Sequence, residues 1–225
     1  MNDFILLALI LVSVIGCLLV FFGFDEKLAK KEEKNALGKL IVIEGIEGSG
    51  KTLLMNLLKE NLPEDWAYTK EPYYINDDLE NWTKENYQLD RENHIQNKIL
   101  PILQQKRILV TNRYWMSGCV YDNWEAESYL SIWLEPDLIL WLDYEPKESD
   151  PESQRTEAEL KELRQKYYNL FSEIKENHGH LNFCLIKTDD LAPEEILKLA
   201  MNEIKKVIPF QKEFSPQINS LPISN

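Results

Sequence analysis

The sequence predicts an α/β fold, a three-layer sandwich in which a five-stranded parallel sheet carries helices on both faces, preceded by one transmembrane helix. Three observations carry this. Short apolar, β-branched runs alternate five times with stretches of helical period. The octet Gly45-Ile46-Glu47-Gly48-Ser49-Gly50-Lys51-Thr52 falls between the first such run and the first helix. Residues 4–24 form an apolar run without a single charged side chain.

Lys39-Leu40-Ile41-Val42-Ile43-Glu44 reads as a buried strand. The octet after it fits G-x-x-x-x-G-K-[ST], the P-loop. Gly45, Gly48, Ser49 and Gly50 are therefore candidates to wrap phosphates with their backbone N–H groups. Lys51 would neutralise phosphate charge, and the Thr52 hydroxyl is a candidate Mg²⁺ ligand. Leu53, Leu54, Leu57, Leu58 and Leu62 then recur at helical spacing until Pro63 stops them. Strand, loop and helix in this order aim a helix N-terminus at an anion, which narrows the fold class to a P-loop NTPase with ATP and Mg²⁺ as expected ligands.

The remaining elements follow in turn. Trp66 to Thr69 is a second strand running into Lys70-Glu71-Pro72, where the proline favours an extended residue before it. Asp77 to Tyr87 and Asp90 to Gln104 read as two helices, the second with an apolar stripe of Ile95, Ile99, Ile102 and Leu103 despite Pro101. Arg107 to Thr111 is a third strand, and Trp115 to Leu134 is mostly helical. Leu138 to Leu142 is a fourth strand ending in Asp143, and Tyr144 to Gln154 an exposed loop. Arg155 to Asn177 is a helix, Asn182 to Lys187 a fifth strand and Pro193 to Val207 a final amphipathic helix. Parallel sheets bind ligands outside the carboxyl ends of their strands. There the polar residues gather: Glu44, Thr69 to Glu71, Asn112 to Tyr114 and Asp143.

The chain has 225 residues, 44% of them hydrophobic, enough for one globular domain over 39–208. A net charge of −13 excludes a general affinity for nucleic-acid backbone, while leaving room for a small phosphorylated ligand held by a few placed cations. Three scattered cysteines suggest neither a disulfide framework nor a zinc site. As a helix, residues 4–24 would be about 31 Å long, enough to cross a bilayer. A cleavable signal peptide would want a basic start and a small-residue cleavage site, whereas this chain begins Met1-Asn2-Asp3 and ends the run in Phe21 and Phe22. Lysines lie only on the far side, so a single-pass membrane protein with its globular domain facing the cytoplasm is expected. Residues 25–38 form a polar stalk or a disordered linker, and 209–225 a flexible tail.

Five motifs in order resemble the thymidylate kinase family of P-loop nucleoside monophosphate kinases. They are Glu44 to Thr52, Thr69-Lys70-Glu71-Pro72, Tyr87 to His94 with Arg91 inside it, Asn112-Arg113-Tyr114 through Ser117 to Tyr121, and Pro136-Asp137-Leu138 through Asp143. The resemblance implies γ-phosphoryl transfer from ATP to a deoxynucleoside monophosphate, dTMP first, and a homodimer. It implies that Tyr87 stacks on the acceptor base, Arg91 bonds the base edge, Lys70 and Arg113 hold the acceptor phosphate, Ser117 joins the acceptor site and Tyr121 crowds the sugar. Glu47 would meet the deoxyribose hydroxyl or a metal-bound water. Lys51, Arg113, Glu47 and Arg155 would form the catalytic group. Taken alone, Tyr87 also reads as core, Arg91 as a helix-face ion pair and His94 as a structural cap.

The sequence departs from the family where charge meets the reacting phosphates. An Asp-Arg pair is Asn112-Arg113 here, the arginine of T-R-E-P is Lys70, and the lid after Asp143 is short, leaving Arg155 and Arg164 as candidate lid arginines. Two alternatives therefore stand beside the kinase: a deoxynucleoside kinase, and a membrane-tethered nucleotide-binding scaffold with impaired catalysis. Against the first, those enzymes resemble E-R-S where this chain has Asn112-Arg113-Tyr114.

Overall fold

The computed structural model describes residues 37–74, 82–124, 134–147 and 155–210. The expected membrane span at 4–24, nearly all of the stalk and tail, and the start of the helix expected at Asp77 lie outside the described residues. Among the described residues no helix is long and apolar enough to cross a membrane.

Five strands, β1 (Lys39–Glu44), β2 (Ala67–Lys70), β3 (Ile108–Asn112), β4 (Leu138–Asp143) and β5 (Phe183–Lys187), form one sheet in the order β2-β3-β1-β4-β5. Every pairing is parallel, with Ile41 of β1 opposite Val110 of β3 and Leu138 of β4. The connections are helical, as parallel strands require. The helices are α1 (Lys51–Asn61), α2 (Lys84–His94), α3 (Leu100–Gln104), α4 (Trp115–Asp122), α5 (Glu157–Asn177) and α6 (Pro193–Val207).

Alternation along β1 divides the core into two layers. Leu40 and Val42 face one cluster, with Trp115 and Met116 of α4 and with Tyr167 and Phe171 of α5. Ile41 and Ile43 face the other, with Leu54 and Leu58 of α1 and Ala200 and Ile204 of α6. A sheet buried on both faces explains why its strands read as unbroken apolar runs. The three-layer sandwich and its five parallel strands agree with the sequence expectation, most strand bounds shifting by a residue.

The two helices expected over Asp77–Tyr87 and Asp90–Gln104 are, in their described part, one continuous helical stretch from Lys84 to Gln104. Its middle, Ile95–Ile99, is a π-helical turn closed by Leu100 N donating to Ile95 O. Pro101 is the physical reason: its ring has no N–H and crowds the carbonyl four residues back, so the helix widens ahead of it instead of stopping. Thr83 starts α2 with a capping box, accepting from Asn86 N while Asn86 accepts from Thr83 N. Of the stretch from Trp115 to Leu134 expected to be mostly helical, the first helix ends at Asp122, where Asn123 adopts a left-handed conformation, φ 57°, and residues 125–133 lie outside the described residues.

Candidate functional site

The sequence motifs converge beyond the carboxyl ends of β1, β2 and β3. At β1, Gly45 has φ 145°, and a Cβ there would fall 2.4 Å from Leu142 O. Gly50 caps α1 with φ 87°, a region that a side chain would strain. The loop thus takes its course because glycine occupies the turns, and it delivers Lys51 and Thr52 into the first turn of α1. Lys51 Nζ donates to Ile46 O and, at 3.3 Å, to Ser49 Oγ, lying across its own loop. Burial, then the nearby Arg113 charge, holds the Lys51 ammonium pKa well below its ordinary value. Negative charge brought to this loop would reverse that shift.

Next to the loop opens a cavity of about 340 Å³ lined by Glu47 from the loop, Glu71 and Pro72 after β2, Tyr87, Asp90 and Arg91 of α2, Arg113 after β3, Ser117, Tyr121 and Asp122 of α4, and Arg155 before α5. Its inner wall is an ion-pair cluster. Arg91 donates through Nε to Glu71 Oε2 at 2.8 Å and through Nη1 to Asp122 Oδ2 at 3.2 Å, with its guanidinium 4.8 Å over the Trp124 ring. Gly118 makes room for this, since a Cβ there would meet the Trp124 ring at 2.3 Å and Arg91 Nη1 at 2.8 Å. Burial works to raise the Glu71 carboxyl, but Arg91 and His94 outweigh it and hold it below the usual carboxylate range.

Arg113 forms the opposite wall. It sits in a left-handed conformation, φ 73°, donating from the backbone to Ile43 O and from its guanidinium to Ser117 Oγ at 3.1 Å and Tyr121 OH at 3.2 Å. Burial alone would lower its pKa; the phenolic oxygens of Tyr121 and Tyr167 and the Glu44 carboxylate more than offset that, keeping the charge. Glu44, buried at the end of β1, braces the wall by accepting from Tyr114 N, Ser117 Oγ and Tyr167 OH at 2.8–2.9 Å. At the mouth, Arg155 Nε donates to Glu47 Oε1 at 3.2 Å. Its guanidinium lies 5.4 Å from the Tyr121 ring, which Arg113 also overlies at 4.7 Å.

Glu47, Tyr87, Arg91, Arg113, Ser117, Tyr121 and Arg155 thus meet in one cavity, while Gly45, Gly48, Ser49, Gly50, Lys51 and Thr52 form the adjoining loop. Lys70 does not join them. Thr69 points its hydroxyl to His94 on α2, so the alternation of the strand turns the Lys70 side chain to the opposite side, where it is exposed. Arg164, a candidate lid arginine, is tied down instead, donating to both Asp143 oxygens at 2.6 and 3.0 Å and also to Glu145. His94 caps nothing: its ring is fully buried, bonded to Thr69 and stacked on Tyr73 at 4.9 Å.

Sequence reasoning missed Asp90, whose carboxylate accepts from Tyr73 N at 2.7 Å and Tyr74 N at 2.8 Å and so shapes the loop after Pro72. It also missed Asp122, the second carboxylate on Arg91. Neither carried a signal in the sequence, because each bonds residues 16 to 31 positions away.

The thymidylate kinase family profile matches residues 78–197, more than half of the chain. The chain is 33% identical over 129 residues to a probable thymidylate kinase from Staphylothermus marinus and 32% identical over 143 residues to one from Pyrococcus horikoshii. The chain belongs to the thymidylate kinase family. Those alignments span 48% and 50% of this chain and 65% and 68% of the two archaeal relatives. A thymidylate kinase from Acaryochloris marina aligns over its whole length and 77% of this chain at 24% identity. Among solved structures, thymidylate kinases from Ehrlichia chaffeensis (TM-score 0.57, 75% of this chain and 98% of that one) and Candida albicans (TM-score 0.59, 76% and 92%) share the fold at 20% identity.

Within this thymidylate kinase family member, oxygen donors suited to a hard divalent cation or its bound water stand where α1 begins. The exposed Thr52 hydroxyl lies 3.4 Å from Asn112 Nδ2, and Asn112 Oδ1 is buried without a hydrogen-bond partner among the described residues. An acceptor left unsatisfied beside the P-loop fits Mg²⁺, but Asn112 offers it no charge.

Proposed function

We propose that this chain transfers the γ-phosphoryl group of ATP to a deoxynucleoside monophosphate, dTMP first, at the cavity beside the P-loop. The observation that carries the reading is that Arg113, Arg91, Tyr87 and Tyr121 line a single cavity that opens directly on Glu47 of the phosphate loop. An acceptor with its base toward Arg91 and Tyr87 and its phosphate toward Arg113 would present a phosphate oxygen to ATP held in the loop. That oxygen bonds the γ-phosphorus while the bond to the β-phosphate oxygen breaks, giving a nucleoside diphosphate and ADP. Such transfer asks the protein mainly for placement and positive charge. Arg113 and Lys51 supply fixed charge, the backbone amides of Gly48 to Thr52 cradle the phosphates, and Arg155 stands at the mouth where charge develops. Thr52, with Asn112 behind it, would hold Mg²⁺, which when bound neutralises phosphate charge and orders the ATP phosphates.

The test is ADP release by the purified full-length chain across deoxy- and ribonucleoside monophosphates. The expected result is turnover with dTMP and little with ribonucleotides. Turnover with thymidine in place of dTMP would move the assignment to a deoxynucleoside kinase. Lys51→Ala should remove ATP binding while preserving the fold, and unchanged ATP affinity in that variant would end the nucleotide reading altogether. A nucleotide-binding scaffold is the second reading, favoured by one observation, the neutral Asn112 beside Thr52. ATP binding without transfer to any monophosphate would establish it.

Residues 4–24 are proposed to anchor the domain at a membrane, facing the cytoplasm. The support is their charge-free apolar length and the lysines that follow. Resistance to carbonate extraction checks this, and recovery in the soluble fraction excludes it. A homodimer is proposed on the family resemblance, to be checked by sedimentation.

A further inference from the structure

Behind the Arg91 wall lies a pair of buried polar atoms that the reaction as proposed does not use. Glu71 spends one oxygen, Oε2, on Arg91. Its other oxygen, Oε1, faces His94 Nδ1 across 3.7 Å, and among the described residues neither atom has a hydrogen-bond partner. Both side chains are withdrawn from water, His94 at 0% and Glu71 at 4% exposure. The far side of the imidazole is fixed, Nε2 lying 2.7 Å from Thr69 Oγ1 and the ring stacking on Tyr73.

Proton bookkeeping decides between the arrangements this allows. A neutral imidazole has one N–H. If that hydrogen were on Nε2, the Nδ1 lone pair would confront a carboxylate oxygen in a dry interior, with both acceptors left unpaired. If it is on Nδ1, Thr69 donates to Nε2 and His94 donates toward Glu71. The 3.7 Å separation then closes to a normal hydrogen bond by a movement of about 0.8 Å. Only the second arrangement leaves no buried group facing its like.

We propose that His94 is a positioning residue for the acceptor site: its Nδ1–H bonds Glu71 Oε1 and so fixes the carboxylate that orients Arg91. The chain runs Thr69, His94, Glu71, Arg91, Asp122, tying the end of β2 to α2 and the end of α4. It gives the buried histidine of α2 a role toward the nucleotide that its distance from the cavity hides. The inference rests on the acceptor reading of the cavity for its consequence, and on the buried geometry alone for the hydrogen bond.

Two measurements on the full-length chain test it. In the ¹⁵N spectrum of histidine-labelled protein, the resonances absent from His94→Asn are those of His94. Nδ1 is expected to carry the proton, and a neutral ring protonated on Nε2 overturns the proposal whether or not the chain is a kinase. The second is a pair of variants. His94→Leu fills the space without a donor, and His94→Asn places an amide N–H near the position of Nδ1. His94→Leu should weaken dTMP, as KM or as calorimetric Kd, by about tenfold or more, as loss of a hydrogen bond to a charged group implies, with ATP affinity within about twofold. His94→Asn should recover most of the loss. A packing role alone predicts the reverse order, since asparagine leaves the larger void, and that order would overturn the proposal. If the wild-type chain binds no monophosphate, the acceptor reading fails. The tautomer, together with persistence of the Arg91 Nε–H resonance in His94→Asn and its loss in His94→Leu, still decides the hydrogen bond.

Discussion

Asn112 holds its side-chain amide nitrogen 3.4 Å from the Thr52 hydroxyl, and its buried Oδ1 accepts no hydrogen bond from any described residue. A carboxylate at this point would add charge where the P-loop hydroxyl meets the cation. Outer ligands typically set metal affinity by a factor of ten or more, so Asn112→Asp should lower the half-saturating Mg²⁺ concentration by about tenfold and raise kcat. Titrating activity against free Mg²⁺ in both proteins checks it. Unchanged Mg²⁺ dependence would mean that Asn112 acts only on Thr52.

Arg91 is held more tightly than a ligand-reading residue needs to be. Glu71 and Asp122 both depend on its charge, with exposures of 4% and 12%. Arg91→Ala strands two carboxylates and should cost about 3–5 kcal/mol of stability, as removal of one partner of a buried pair does, whatever it does to acceptor binding. Urea denaturation measures it. Tyr87→Ala is the cleaner acceptor probe. Its half-exposed ring meets Trp82 edge to face at 5.1 Å, so the variant should raise acceptor KM about tenfold by loss of a stacking surface while stability falls little.

Legibility in the sequence followed the range of the interactions. The P-loop and the strands were readable because their cause is local: glycines at turns, β-branched runs, and leucines at helical spacing ended by Pro63. The convergence of Glu44, Glu71 and Arg113 was readable because parallel topology sends strand ends to one edge, whereas Arg91 and Tyr121, on helices, entered only through the family resemblance. What escaped depends on contacts across the fold. Nothing near Asp90 in sequence announces that it accepts from Tyr73 and Tyr74. Arg164 resembles a lid arginine until Asp143, on another strand end, is seen between its nitrogens. Lys70 was misplaced by one step of strand alternation, which only the direction of Thr69 reveals. The sequence divides this helical stretch at Gln88-Leu89, inside α2, and carries no sign of the turn at Ile95–Ile99, because a π-helical turn has no sequence period of its own.

The Arg164–Asp143 pair makes the fold sensitive to acid. Burial pushes the Asp143 carboxyl up, but the Arg164 and Tyr168 hydrogen bonds outweigh it and hold its pKa below the ordinary 3.8. A folded pKa depressed below the unfolded one contributes stability that is fully present above the unfolded value and lost as pH falls through the folded value. Glu71, also depressed, acts in the same direction from its ordinary 4.5. Arg164→Ala should therefore destabilise the protein by about 2 kcal/mol near neutrality, less than a fully buried pair because its guanidinium is partly in water, and should raise the pH midpoint of acid unfolding. Circular dichroism against pH reads both. An unshifted midpoint would place the acid sensitivity elsewhere.

Arg155 is the remaining arginine at the cavity mouth, and its ion pair with Glu47 involves side chains 42% and 33% exposed. An exposed pair of this kind contributes about 0–1 kcal/mol, so Arg155→Ala should leave the melting temperature nearly unchanged. Its effect on activity is a separate matter. A guanidinium that stabilises charge developing on the transferred phosphoryl group acts in the transition state and little in the ground state, so its loss lowers kcat more than it raises KM. Comparable electrostatic contacts are worth about a hundredfold or more in kcat, which is the size of loss expected here. A rise in acceptor KM at constant kcat would instead make Arg155 a ground-state contact, holding Glu47 and Tyr121 in place around the sugar. Because the variant folds like the parent, steady-state kinetics alone separates the two.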